Sequence, residues 1–207
     1  EIVRMLLDNG AEPNKQDGTL SLVYAAQDGH TEIVRMLLDN GAEPNKQDGT
    51  LSLVYAAQDG HTEIVRMLLD KGAEPNKQSG KGYLSLVLAA QLGHIEMVRM
   101  LLDKGAEPNK QDEEGYLSLV LAAQKGHTEI VRMLLDKGAE PNKEEGHLSL
   151  VQAAQNGHKE VVRMLLDKGA EPNKQDGKSY LSLVMAAQDG HTEIVRMLLD
   201  KGAEPNE

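Results

Sequence analysis

The sequence predicts an α-dominated repeat solenoid, and three observations carry that prediction. Ala-Ala-Gln recurs at Ala25, Ala56, Ala89, Ala122, Ala153 and Ala186, at spacings of 31, 33, 33, 31 and 33 residues. All seven prolines lie in one motif, Gly-Ala-Glu-Pro-Asn, which begins at Gly10, Gly41, Gly72, Gly105, Gly138, Gly169 and Gly202. The chain has no Trp, Phe or Cys and only 2% aromatic residues, so its interior must repeat one small contact among Leu, Val, Ile, Met and Ala. The organisation that follows is a single domain over residues 1–207. A partial repeat at 1–16 is followed by six full ones at 17–47, 48–78, 79–111, 112–143, 144–175 and 176–207.

The segment from Gly18 to Gly41 serves as the unit. Leu22, Ala25 and Ala26 share one side of a short first helix, which ends near Gly29, where a left-handed cap favours glycine. Thr31 offers a hydroxyl N-cap to a second helix, and Glu32 places negative charge in its first turn. Ile33, Val34, Met36, Leu37 and Leu38 then make an apolar stripe too wide for a one-sided helix, so neighbouring copies must cover it on both sides. Gly41 stops this helix. Pro44-Asn45-Lys46-Gln47-Asp48-Gly49 reads as turn and hairpin material. Length varies only there, by two residues, which preserves in/out alternation.

A formal net charge of −11 disfavours nucleic acid and anionic membrane surfaces and favours a basic or mixed-charge protein partner. Without cysteine no disulfide forms, and no signal peptide or long apolar run is present, so a cytoplasmic or nuclear location is expected.

Catalytic and metal chemistry find no foothold. His30, His61, His94, His127, His158 and His191 lie one per repeat, too far apart to share a metal whose ligands sit about 2 Å away. They read as structural groups joining the two helices. Arg35 between Glu32 and Asp39 reads as helix-surface ion pairing. The repeated Ser21 position reads as a helix cap. No phosphate loop, nucleophile elbow or cysteine nucleophile appears, so neither an enzyme nor a cofactor is expected.

Gly29-His30, Glu32-Ile33-Val34, Leu37-Leu38, Gly41-Ala42-Glu43-Pro44-Asn45 and Ala25-Ala26 resemble the ankyrin-repeat family in residues, order and period over essentially the whole chain. The resemblance implies a β-hairpin and two antiparallel helices per repeat, stacked into an array with a concave, partner-binding groove. One motif departs: the family's Thr-Pro-Leu-His is Leu20-Ser21-Leu22-Val23 here, with Ser21 expected to serve the helix start and Val23 to pack between repeats.

Repeats differ at a few positions only. The residue before Leu-Ser-Leu is Thr19, Thr50, Tyr83, Tyr116, His147 and Tyr180; the one after Val is Tyr24, Tyr55, Leu88, Leu121, Gln152 and Met185. The residue after Ala-Ala-Gln is Asp28, Asp59, Leu92, Lys125, Asn156 and Asp189, and the tips Ser79–Gly82, Asp112–Gly115, Glu144–Gly146 and Asp176–Ser179 also vary. In the resemblance these positions line the groove. Tyr83, Tyr116, His147 and Tyr180 are the expected anchors, since Tyr gives rigid amphipathic contact area at low entropic cost. Leu88, Leu121 and Met185 either join them or pack between layers. Neutral drift is the alternative, yet Glu32, Arg35 and Asp39 recur unchanged in all six repeats.

The expected function is non-catalytic recognition of a protein partner through that groove. Rival readings are a spacer or head-to-tail self-assembling segment, an engineered consensus-like scaffold, and the targeting arm of a larger enzyme. Repeats 17–47 and 48–78 differ only at Asn40 and Lys71, which fits either duplication or design. End-to-end self-association would use apolar terminal faces, expected at Ile2, Leu6, Ile194 and Leu198.

Overall fold

The structure is a computed structural model and describes residues 2–14, 16–45, 51–143, 148–176 and 181–205, without the side chains of 16–20. Thirteen helices occur among the described residues. They are α1 (Ile2–Asp8), α2 (Gln16–Gln27), α3 (Thr31–Asp39), α4 (Ser52–Gln58), α5 (Thr62–Asp70), α6 (Ser85–Leu92) and α7 (Ile95–Asp103). These are followed by α8 (Ser118–Lys125), α9 (Thr128–Asp136), α10 (Ser149–Gln155), α11 (Lys159–Asp167), α12 (Ser182–Gln188) and α13 (Thr192–Asp200). From α2 onward, even numbers are first helices and odd numbers second helices of a repeat. Two compact units result, one of Glu1–Ala89 with Glu96–Ala106, the other of Ala90–Ile95 with Glu107–Glu207.

Each unit has a core of the small aliphatic set. In the first, Val54, Ala56, Ala57, Ile64, Val65 and Leu68 are at most 1% exposed. In the second, Val151, Ala153, Ala154, Ile130, Val131 and Leu134 are fully buried. Burying a Val, Ile or Leu side chain contributes about 1.5–3 kcal/mol. The wide stripe of the second helices therefore does face two ways, with Ile130 and Leu134 at one azimuth and Val131 and Leu135 at the next. The last layer separates the two faces. Ile194 and Leu198 are buried, at 2% and 0% exposure, whereas Val184 and Leu199 are 50% and 43% exposed. This corrects the expectation for Ile194 and Leu198: α12, the first helix of their own repeat, packs against α13 and covers them. Ile2 and Leu6, with no such helix beside them in the described residues, are 74% and 57% exposed as expected.

The helix ends differ from the sequence expectation in two respects. His30, not Thr31, is the N-cap of α3, and it makes no side-chain cap bond; Thr31 Oγ1 donates back to Gly29 O at 3.4 Å. Leu117, extended at φ −104° and ψ 144°, is the N-cap of α8, which leaves Ser118 as the first helical residue. The hydroxyls of Ser85, Ser118 and Ser182 are buried without a partner, while Ser149 Oγ donates to Pro141 O at 3.2 Å. Val23 and its copies Val54, Val87, Val120 and Val151 are buried, whereas Val184, the copy in the last repeat, is half exposed.

No strand forms among the described residues, so the hairpins are not sheet elements. Their tips are tight turns, with Ser79 N donating to Tyr83 O (3.0 Å) and Asp112 N to Tyr116 O (3.1 Å). Cross-repeat bonding falls instead to a side chain. Asn45 Nδ2 donates to Gly72 O at 2.7 Å and its Oδ1 accepts from Glu74 N at 2.9 Å. Asn142 repeats this pair with Gly169 O and Glu171 N at 2.8 and 2.9 Å. The expected Asp48-Gly49 turn lies outside the described residues.

The second-helix charges also pair across layers. Asp39 binds Lys71 at 2.9 Å and Arg35 binds Glu63 at 3.0 Å, beside its in-helix contact to Glu32 at 3.5 Å. The in-helix Arg–Glu half of the expected pairing is thus present, while Asp39 serves the neighbouring layer.

Candidate functional site

A glycine and a histidine of the following repeat meet at the ends of α2, α6, α8 and α10. Gly126 closes α8 with φ +74°, a conformation that costs an L side chain energy and glycine little. The His158 imidazole lies over it, so that a Cβ on Gly126 would fall 2.5 Å from Nδ1. His158 Nε2 is 2.9 Å from Gln124 O, in the preceding repeat. The same bond joins His61 to Gln27 O (2.8 Å), His127 to Gln91 O (3.1 Å) and His191 to Gln155 O (2.9 Å). These four histidines couple adjacent repeats instead of only the two helices of one.

In the first unit, Tyr24 is 57% exposed, while Tyr55, Tyr83 and Leu88 are half-buried. Tyr83 N donates to Ser79 Oγ at 3.2 Å, which ties the tip to the base of the turn.

In the second unit, Leu92 is 47% exposed, and Lys125 and Asn156 are exposed. Tyr116 is half-buried at the end of its turn, where its N–H donates to Asp112 Oδ1 at 2.8 Å. Leu121, Gln152 and Met185 are 6%, 8% and 5% exposed. For Met185 the surroundings are Leu148 and Val151, an apolar cluster between layers. His147 and Tyr180 lie outside the described residues.

Tyr116, Leu121 and Gln152 come together on one cleft of about 260 Å³, with Gln91, Glu114, Val120 and Gln124. Its floor is apolar, from Val120 and Leu121. Its walls are carboxamides, and Glu114 sets a negative rim. Gln124 Nε2 donates to Gln152 Oε1 at 3.1 Å, and Asn156 Nδ2 holds Gln152 O at 2.8 Å. Variation among repeats could not mark Gln91 or Gln124, since both belong to the unvaried Ala-Ala-Gln motif. The available signal was Gln152 itself, the one polar group at a position otherwise filled by Tyr, Leu or Met.

Among the described residues no group of three His, Asp or Glu side chains is placed to hold a metal ion, and no helix is long and apolar enough to cross a membrane. The carboxyl of Glu193 is held below its ordinary range by the hydrogen bond and charge of Lys159.

Comparison with known proteins agrees with this geometry. A family model described as ankyrin repeats (3 copies) matches residues 1–79, 86–176 and 144–207. A search of curated proteins returned no match. Among solved structures, an ankyrin repeat domain from Acinetobacter baumannii AYE superposes with a TM-score of 0.81 at 28% identity, covering 88% of this chain and 98% of that one. The glycine-capped helix pairs, the Gly-His coupling and the family match over most of the sequence lead to one assignment: the chain belongs to the ankyrin-repeat family.

Proposed function

We propose that this chain is a non-catalytic module that binds a partner protein with basic or mixed surface charge, through the varied turn and first-helix positions of its repeats. One observation carries the reading. Variable positions from two successive repeats, Tyr116 and Leu121 from one and Gln152 from the next, converge on a single cleft, whereas the exposed Glu, Arg and Asp of the second helices never vary. Neutral drift would touch both surfaces alike. Recognition energy in such a surface comes from a few desolvated contacts, with the surrounding acids steering the partner's approach. Tyr83, Tyr116, His147 and Tyr180 are the proposed anchors, and Tyr24, Tyr55, Leu92, Lys125 and Asn156 the accessible contacts around them. Burial makes Leu121 and Met185 supports for their neighbours more than contacts. The setting proposed is cytoplasmic or nuclear.

The test is a quantitative pull-down from cell lysate beside a flattened control, whose later repeats carry the residue types of Thr19, Tyr24 and Asp28 at the varied positions. Retention of a partner by the native chain alone, at equal helical content, supports the reading. Equal retention by both chains, or none by either, refutes it.

A second reading, end-to-end self-association, is favoured by Val184 and Leu199 at one face and Ile2, Met5 and Leu6 at another, all between 43% and 74% exposed. Sedimentation across a concentration series showing a strict monomer would dismiss it.

A further inference from the structure

We propose that the cleft at Tyr116, Gln124 and Gln152 reads an amide group of the partner, pairing it with the carboxamides of Gln124 and Gln152. This rests on the binding role proposed above and names the chemistry that one part of the surface selects.

Gln152 stands where the other repeats place Tyr24, Tyr55, Leu88, Leu121 and Met185, all less polar. It is 8% exposed, so a carboxamide has been taken out of water at a position that Leu and Met fill without that cost. Its oxygen accepts from Gln124 Nε2 at 3.1 Å, and both side chains line the cleft.

The pairing leaves a definite pattern. Whichever way the two carboxamides are turned, one bond between them leaves an NH2 on one side and a carbonyl oxygen on the other. A donor beside an acceptor is complementary to an amide, which offers the reverse. It is not complementary to an anion, which supplies only acceptors, and Glu114 at the rim repels one. The apolar floor of Val120 and Leu121 suits the carbon atoms that flank an amide. The pair is also held in place by its backbone, through His158 to Gln124 O and Asn156 to Gln152 O. The amide comes either from the main chain of an extended segment or from an Asn or Gln side chain.

The probe is a phage-displayed library of linear random peptides, selected on the full chain and measured against Gln152→Leu. This variant takes the residue that Leu121 already supplies one repeat earlier, and circular dichroism checks that helical content is unchanged. Selected peptides are expected to lose at least about tenfold in affinity. Loss of the same size on N-methylating one backbone amide assigns the main chain as the source; loss on replacing a peptide Asn or Gln by Ala assigns the side chain. Equal affinity for Gln152→Leu overturns the proposal. If those same peptides are lost on Tyr116→Ala, the binding surface stands and only the amide pairing falls. A selection that yields no peptide also overturns the proposal, and the lysate pull-down then decides the broader reading on its own.

Discussion

Replacing Gly126 by alanine should cost much more than replacing Gly138, although both close a helix in the left-handed region, at φ +74° and +90°. The backbone penalty is shared, roughly 1–2 kcal/mol for an L residue there. What differs is the space. At Gly138 a Cβ would meet nothing within 4 Å, while at Gly126 it would lie 2.5 Å from Nδ1 and 2.6 Å from Cε1 of His158. The imidazole has to move, and its 2.9 Å contact with Gln124 O goes with it, worth about 1 kcal/mol net and more if the carbonyl stays unsatisfied. Gly126→Ala is therefore expected to cost about 2–4 kcal/mol against about 1–2 for Gly138→Ala. Urea unfolding followed by helical circular dichroism measures both, provided the denaturant slope is unchanged. The cycle with His158→Ala isolates the cause. In that background Gly126→Ala should cost only the backbone part, giving a coupling of about 1–2 kcal/mol. Equal costs for the two glycines, or a coupling within about 0.5 kcal/mol of zero, would refute the reasoning.

Ser118→Pro should raise stability by about 0.5–1 kcal/mol in the same assay, because Ser118 is the first residue of α8, its hydroxyl is buried without a partner, and Leu117 already has the extended backbone that precedes proline. A loss of stability would show that the hydroxyl or the N–H has a role in the native state. Asn142→Ala should cost about 1–2 kcal/mol by removing the bonds to Gly169 O and Glu171 N, with Asn142→Asp intermediate because it keeps only the acceptor; no difference between the two variants would count against the paired geometry. For Glu193, folding lowers the carboxyl pKa, so its contribution is present above the ordinary value of 4.5 and is lost as pH falls through the lower folded value. Lys159→Met should flatten the acid limb of the stability–pH curve, most visibly at low salt; an unchanged limb would remove the pair from the account.

The architecture was legible in the sequence because it rests on periodic features. Glycines 31 or 33 residues apart and a stripe of Ile, Val, Leu and Leu leave only stacking as a way to bury both faces of the second helix. What sequence could not supply was direction. His158 has backbone carbonyls available on both sides, and only coordinates show that it reaches back to Gln124 O. Asp39 has Arg35 four residues away, yet its partner is Lys71 of the next layer, a pairing with no helical period behind it. The site was legible in part. Variation flagged Tyr116, Leu121 and Gln152, but their convergence on one cleft depends on turn geometry, and Gln124 was hidden by its own invariance.

The Asn and His contacts between repeats end chiefly on main-chain groups, among them Gln27 O, Gly72 O and Glu74 N in the first unit and Gln124 O, Gly169 O and Glu171 N in the second. Every residue but proline offers both a carbonyl and an N–H, whatever its side chain. Such a bond does not depend on the side chain of the residue it ends on, and the glycine that the histidine covers recurs in every repeat, so a copied repeat fits against its parent from its first generation. Residues 17–47 and 48–78, alike but for Asn40 and Lys71, are as similar as such a copy and its parent would be. Length can then change by copying whole repeats, and turn and first-helix surface residues can change one at a time, because neither process has to remake these main-chain bonds.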